Sequence, residues 1–194
     1  MGGVLDRIES PADVRRLSET ELLTLCDEIR SALVSSVSVT GGHMGSNLGF
    51  VEATVALHHV FDLPVDKLVF DVSHQCYTHK MLTGRKEAFL DPSSYNKYTG
   101  FTNPDESPYD LFRAGHTSQG VSLGCGLAKA RDLLGLSHNV IVVLGDGALS
   151  GGEAFEGLDN AAEVGSNLIV VFNDNDMSIA PNAGGIYRNL AEVR

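Results

Sequence analysis

Cysteine is scarce. Cys26, Cys76 and Cys125 are odd in number, far apart and without CxxC spacing, so neither a disulfide framework nor a zinc site is indicated. Basic residues are also few: fourteen Lys and Arg against twenty-five Asp and Glu give a formal charge of −11. No basic stripe remains for nucleic acid, and a phosphorylated ligand would have to be held by backbone N–H groups and a metal. No apolar run approaches the roughly 18 residues needed to cross a bilayer. The amino terminus, MGGVLDRIES, lacks a basic stretch leading into an apolar one, so secretion is not expected and a cytoplasmic location is. What remains fits one α/β domain, with 194 residues of which 43% are hydrophobic.

The pattern along the chain is periodic. Ser18 and Glu21 have capping-box spacing, and Leu22, Cys26, Ile29, Leu33 and Val37 recur at helical intervals up to Gly41-Gly42. A second helix is expected over about 50–60, a short buried strand over 67–72, and a helical stretch HQCYTHKML that ends at Gly84. Residues 91–110 carry three prolines and no periodicity, which predicts a long functional or mobile loop. A helix over 118–134 contains Gly120, Gly124 and Gly126, so close packing or close ligand approach must offset about 1 kcal/mol per glycine. Strand 139–144, helix 152–163 and strand 167–172 complete a β–α–β unit. Their continuous apolar runs imply a mainly parallel sheet, flanked by helices and covered on both faces.

Two strand ends carry unusual chemistry. VIVV runs into LGDGALSGG (144–152), and LIVVF runs into NDNDMSI (173–179). Ligands of open parallel sheets bind at the carboxyl ends of strands, so both stretches should face one crevice. Gly145 and Gly147 admit close backbone approach, and the helix starting near Gly152 aims its N–H groups there. This suits a diphosphate, which Asp146 alone would repel. A divalent cation resolves the conflict. Mg²⁺ favours oxygen ligands shared between protein and substrate phosphates, and Asp146, the Asn175 amide oxygen and a following carbonyl could supply them. Asp146 is expected to face solvent at its strand end. The residues alone leave two other readings open: plain solvated turns, and a relaxed GxGxxxG dinucleotide fingerprint through Gly145, Gly147 and Gly151.

The GDG…NDN pair resembles the thiamine diphosphate signature of the transketolase superfamily, with Asp146 and Asn175 at its spacing of 29 positions. GGHMGSNLG (41–49), DVSHQCYTHKMLTGR (71–85) and ESPYDLFRAGHTS (106–118) narrow this to the 1-deoxy-D-xylulose-5-phosphate synthase family, usually written GGHLGSNLG, DVGHQxYxHKxLTGR and ESPYDVFGAGHSS. The similarity runs from about residue 5 to the end of the chain. It implies that Asp146, Asn175 and the Met177 carbonyl hold Mg²⁺. It places Gly147, Ala148 and Asn175 on the cofactor, with His116, Thr117 and Ser118 near its diphosphate. It makes His43 and His74 the proton-transfer residues facing thiazolium and substrate, a task suited to imidazole. His58, His59 and His138 receive no role, and His79 and Lys80 are as readily structural. Ser73 in place of glycine, Arg113 in place of a small residue and Gln119 within GHTSQGVS depart from the family pattern close to the implied cofactor.

The resemblance further implies decarboxylating condensation of pyruvate with D-glyceraldehyde 3-phosphate, the entry to non-mevalonate isoprenoid and thiamine biosynthesis, by a homodimer. In that family a pyrimidine-binding domain and a third domain accompany the diphosphate-binding domain. Residues 1–194 correspond to the latter alone, as a fragment, as the subunit of a split enzyme with its pyrimidine domain in trans, or as a binding module. Alone, the chain is expected to bind cofactor weakly, to self-associate, or to have poorly ordered loops at His43 and 91–110.

Overall fold

The computed structural model describes residues 2–174 together with Gly184, Gly185, Tyr187, Arg188 and Glu192. Helix α1 (Glu19–Thr40) opens with the expected capping box: the Ser18 hydroxyl accepts the Glu21 N–H, and the Glu21 carboxylate accepts the Ser18 N–H at 3.0 Å. Its buried stripe, Leu25, Cys26, Ile29, Leu33 and Val37, has the predicted period, and the helix stops before Gly41-Gly42 as expected, where Gly41 takes φ +74°. A short helix Met44–Leu48 leads into α2 (Val51–Val60), and strand β1 (Lys67–Phe70) follows.

Helix α3 (Tyr77–Lys80) starts three residues later than the HQCYTHKML pattern suggests. The reason is the exit from β1. Val72 and Ser73 both take positive φ, +58° and +68°, so the chain turns sharply before a helix can begin. Beyond α3 a wide turn, Met81–Arg85, is broken at Gly84 with φ +84°. Helix α4 (Gly120–Leu133), strand β2 (Val140–Gly145), helix α5 (Gly152–Val164) and strand β3 (Ile169–Asn173) then follow close to their expected bounds.

The strands form a parallel sheet in the order β1-β2-β3, with Phe70 opposite Val143 and Gly145 opposite Asn173. Strand alternation sorts the apolar runs onto two faces. Leu68, Phe70, Ile141 and Val143 join α1 and α2 in one core, while Val69, Val142 and Leu144 join α4 and α5 in another. β1 and β2 are thus covered on both sides. β3 was expected to be covered likewise but is half-buried along its whole length.

The glycines of α4 divide by what they meet. A Cβ on Gly120 would lie 2.9 Å from Asp71 Cβ, and one on Gly124 only 2.3 Å from Val142 Cγ2. Gly126 is exposed and a Cβ there would meet nothing. The close packing inferred from sequence therefore holds for two of the three positions. Gly124→Ala should destabilise by about 1–3 kcal/mol through overpacking, whereas Gly126→Ala should stabilise by up to ~1 kcal/mol. Thermal unfolding of the two variants checks the opposite signs.

Candidate functional site

A parallel sheet sends every strand out at one edge, so the turns after β1, β2 and β3 gather there. After β1 come Asp71, Ser73 and His74; after β2 come Asp146, Gly147 and Ala148. Asn175 and Met177 lie outside the described residues. Among the described residues no group of three metal-type side chains occurs.

Asp146 does not face solvent. Its residue is only 6% exposed, and its carbonyl accepts the Tyr187 hydroxyl at 2.8 Å. The turn from Asp146 to Ser150 coils immediately and folds it inward. Beside it there is room: a Cβ built on Gly145 or Gly152 would meet nothing within 4 Å among the described residues. Such bare backbone at the start of α5 fits an anionic group held by N–H donors, and the buried acid next to it fits the cation that would accompany one.

Asp71 sits one strand away and does different work. It is buried, and its two oxygens accept the Ser118 N–H at 2.9 Å and the Gly120 N–H at 2.7 Å, closing the start of α4. Burial raises its pKa against the pull of those two donors. Ser118, at φ +76°, donates its hydroxyl to the Ala148 carbonyl at 2.7 Å, which ties α4 to the turn after β2. His116 and Thr117 are exposed, and His116 Nδ1 contacts the Thr117 carbonyl.

His43 and His74 are brought together. Their ring centroids are 5.3 Å apart, edge to face, and Phe101 approaches His43 at 5.6 Å. His43 is exposed and His74 half-buried. His74 Nδ1 is buried without a hydrogen-bond partner, an atom suited to meet a ligand. Burial, and then the neighbouring His43 charge, lowers the His74 pKa, which favours its neutral ring at pH 7.

The loop over 91–110, expected to be functional or mobile, is fastened from within. Asp110 accepts both Arg85 terminal nitrogens (2.7 and 2.9 Å) and contacts His79 Nε2 at 3.0 Å; Lys80 Nζ donates to Glu106 at 2.5 Å. His79 Nδ1 meets His58 Nε2 at 3.0 Å, and His58 Nδ1 meets the Thr54 carbonyl at 2.8 Å. His58, given no role from sequence, is wholly buried. Burial alone would raise the Asp110 pKa, but Arg85 and His79 hold it well below the usual carboxylate range.

The departures from the family pattern acquire physical accounts. Ser73 keeps a glycine-like φ and spends its hydroxyl on the buried Thr102 N–H at 3.0 Å, pinning the loop to the exit of β1. Arg113 pairs with Asp105 on the surface. Gln119 precedes α4 without a side-chain capping bond. Sequence reasoning missed Asp71, Asn47, Tyr77 and Phe101. Of these Asp71 left a trace, an acid directly after an apolar run, like Asp146.

Two outcomes are expected. Ser73→Ala keeps the positive φ and orphans the Thr102 N–H, costing about 1–3 kcal/mol, while Ser73→Gly relieves the strain and should cost less by roughly 1 kcal/mol; chemical denaturation ranks them. Burial pushes His58 down to about 3, against about 6.5 when unfolded. Between those values only the unfolded chain takes the proton, so stability should fall with falling pH, by at most about 1.4 kcal/mol per unit. A flatter stability–pH profile in His58→Asn checks this.

The comparisons agree with one another. The family model described as 1-deoxy-D-xylulose-5-phosphate synthase matches residues 5–194. A 1-deoxy-D-xylulose-5-phosphate synthase of Carboxydothermus hydrogenoformans is 47% identical over 194 residues, 100% of this chain and 31% of that protein. Its counterpart in Desulforudis audaxviator is 52% identical over 192 residues, 99% of this chain and 30% of that protein. The chain thus spans about a third of the length of these curated relatives. Among solved structures, transketolase from Leishmania mexicana superposes with a TM-score of 0.73 at 20% identity, covering 88% of this chain and 30% of its own. A transketolase mutant from Pichia stipitis gives 0.68 at 24% identity, covering 87% of this chain and 30% of its own. At these identities the likeness is one of fold.

Proposed function

Since the chain belongs to the 1-deoxy-D-xylulose-5-phosphate synthase family, we propose that it is the diphosphate-binding part of a thiamine-diphosphate- and Mg²⁺-dependent synthase. The reaction joins pyruvate, with loss of CO₂, to D-glyceraldehyde 3-phosphate, feeding isoprenoid and thiamine biosynthesis. One observation carries the reading: Asp146 after β2 and the His43–His74 pair beside the exit of β1 share one edge of a parallel sheet.

Asp146, with the Asn175 amide oxygen and the Met177 carbonyl, would hold Mg²⁺. The backbone of Gly147 and Ala148 and the start of α5 would receive the diphosphate, with Asn175 beside it and His116, Thr117 and Ser118 along its rim. Thiamine diphosphate, when bound, supplies a carbon nucleophile and an electron sink. His74, whose lowered pKa favours the neutral ring, accepts or donates a proton at its unpartnered Nδ1, and His43 exchanges protons from the open side. Phe101, held by the fastened loop, packs edge-on against the His43 ring. A pyrimidine-binding domain, in cis or in trans, would complete the walls, and the working form is a cytoplasmic homodimer.

The test is calorimetry of the chain with thiamine diphosphate, with and without Mg²⁺. Because Asp146 is buried, truncation to alanine would confound binding with stability, so Asp146→Asn is the variant of choice. Metal-dependent binding is expected in the parent and an affinity loss of at least about tenfold, ~1.4 kcal/mol, in the variant. Unchanged metal-dependent affinity would overturn the assignment, and metal-free binding of NADPH would favour the dinucleotide reading.

A further inference from the structure

Asn47 has no part in the scheme above, yet its side chain is the most fully committed polar group beside the site. It is 1% exposed. Its Nδ2 donates to the His43 carbonyl at 2.8 Å and to the His74 carbonyl at 2.8 Å, while its Oδ1 accepts the Tyr77 N–H at 2.9 Å. Both N–H donors and the acceptor of the carboxamide are therefore in use.

The partners belong to two separate pieces of chain, one at His43 and one running from His74 to Tyr77. His43 precedes the helix Met44–Leu48 that carries Asn47; His74 follows the sharp turn out of β1; Tyr77 opens α3. Tyr77 then closes a ring of contacts, since its hydroxyl lies 3.5 Å from both the backbone N and Nδ1 of His43. Two carbonyl oxygens converge on Asn47 Nδ2, and without a double donor between them they would repel. An apolar side chain there would take the donor from the His74 carbonyl and leave the His43 carbonyl only the backbone N–H of residue 47, at 3.2 Å. A carboxylate would turn two attractions into repulsions.

We propose that Asn47 is a positioning residue, whose buried carboxamide fixes how the His43 and His74 rings face one another. This rests on the reading of those two histidines as the proton-transferring pair. Asn47 touches neither ring itself; it acts through the backbone of each. Its place four residues after His43 on a short helix lets one side chain reach both histidine segments.

The test measures ring coupling directly, in cofactor-free protein. Histidine ring signals are followed by NMR through a pH titration in the parent, His43→Gln, Asn47→Ser and the double variant. His74 feels the charge on His43, so His43→Gln should raise the His74 midpoint in the parent. In the Asn47→Ser background that rise should shrink to less than half. An equal rise in both backgrounds overturns the proposal. Should the serine variant not fold, Asn47→Asp takes its place, since it keeps the shape and the acceptor for Tyr77 but loses both donated bonds. Failure of both to fold counts against the proposal as well, because Asn47 would then be a residue of stability rather than of ring placement. In protein that turns over pyruvate, Asn47→Ser should lower kcat on the order of a hundredfold with KM and cofactor affinity little changed. A chain that never binds thiamine diphosphate would sink the functional reading while leaving the NMR result standing. Intact coupling would sink this proposal whatever the activity.

Discussion

The Asp71 carboxylate is the joint on which the site edge hangs. Its two oxygens receive backbone N–H groups from Ser118 and Gly120, so the exit of β1 and the start of α4 are one unit. From there the dependence spreads. Ser118 holds the Ala148 carbonyl, which fixes the turn containing Asp146. Gly124, one turn further along α4, lets the helix lie against Val142 in the central strand. The same carboxylate that could have repelled a phosphate is buried and spent on the helix start. That leaves the open backbone at Gly145 and Gly152 as the place where a helix terminus can receive an anion.

Much of this architecture was legible in the sequence because local chemistry decided it. The Ser18–Glu21 box, the apolar stripe of α1 and the buried runs of β1 and β2 need only neighbours within a few residues. That strand ends such as GDG gather at one edge was also legible, since parallel strands leave together, whereas His43 and His74 entered only through the family resemblance. What stayed hidden depends on partners far apart in the chain. Asp146 looked solvent-facing until Tyr187, 41 residues on, was seen to cover its turn. His58 resembled any helical histidine, and only its contact with His79, 21 residues away, places it in a polar core.

The loop over 91–110 shows the same limit from the other side. Its prolines and lack of periodicity describe a segment without regular structure, and apart from a short 3-10 helix at Pro92–Ser94 so it is. Composition could not show that Asp110, Glu106 and Thr102 would anchor it to Arg85, Lys80 and Ser73. Irregular backbone and internal fastening are independent properties. Here the fastening brings Phe101 onto His43.

One detail of that fastening concerns electroneutrality. The contacts from the Thr54 carbonyl through His58 and His79 to Asp110 have an acceptor at each end. Three contacts in such a row need three protons, while two neutral imidazoles carry two. One lone pair is therefore left against another, and a third proton would mend the row. The surrounding ions already balance, with Lys80 and Arg85 set against Glu106 and Asp110, so that proton would bring a net positive charge into a buried space. Burial wins, holding His58 at about 3. The core accepts one unsatisfied contact in order to remain uncharged, and its cohesion is tied to how many protons it holds as well as to how its side chains pack.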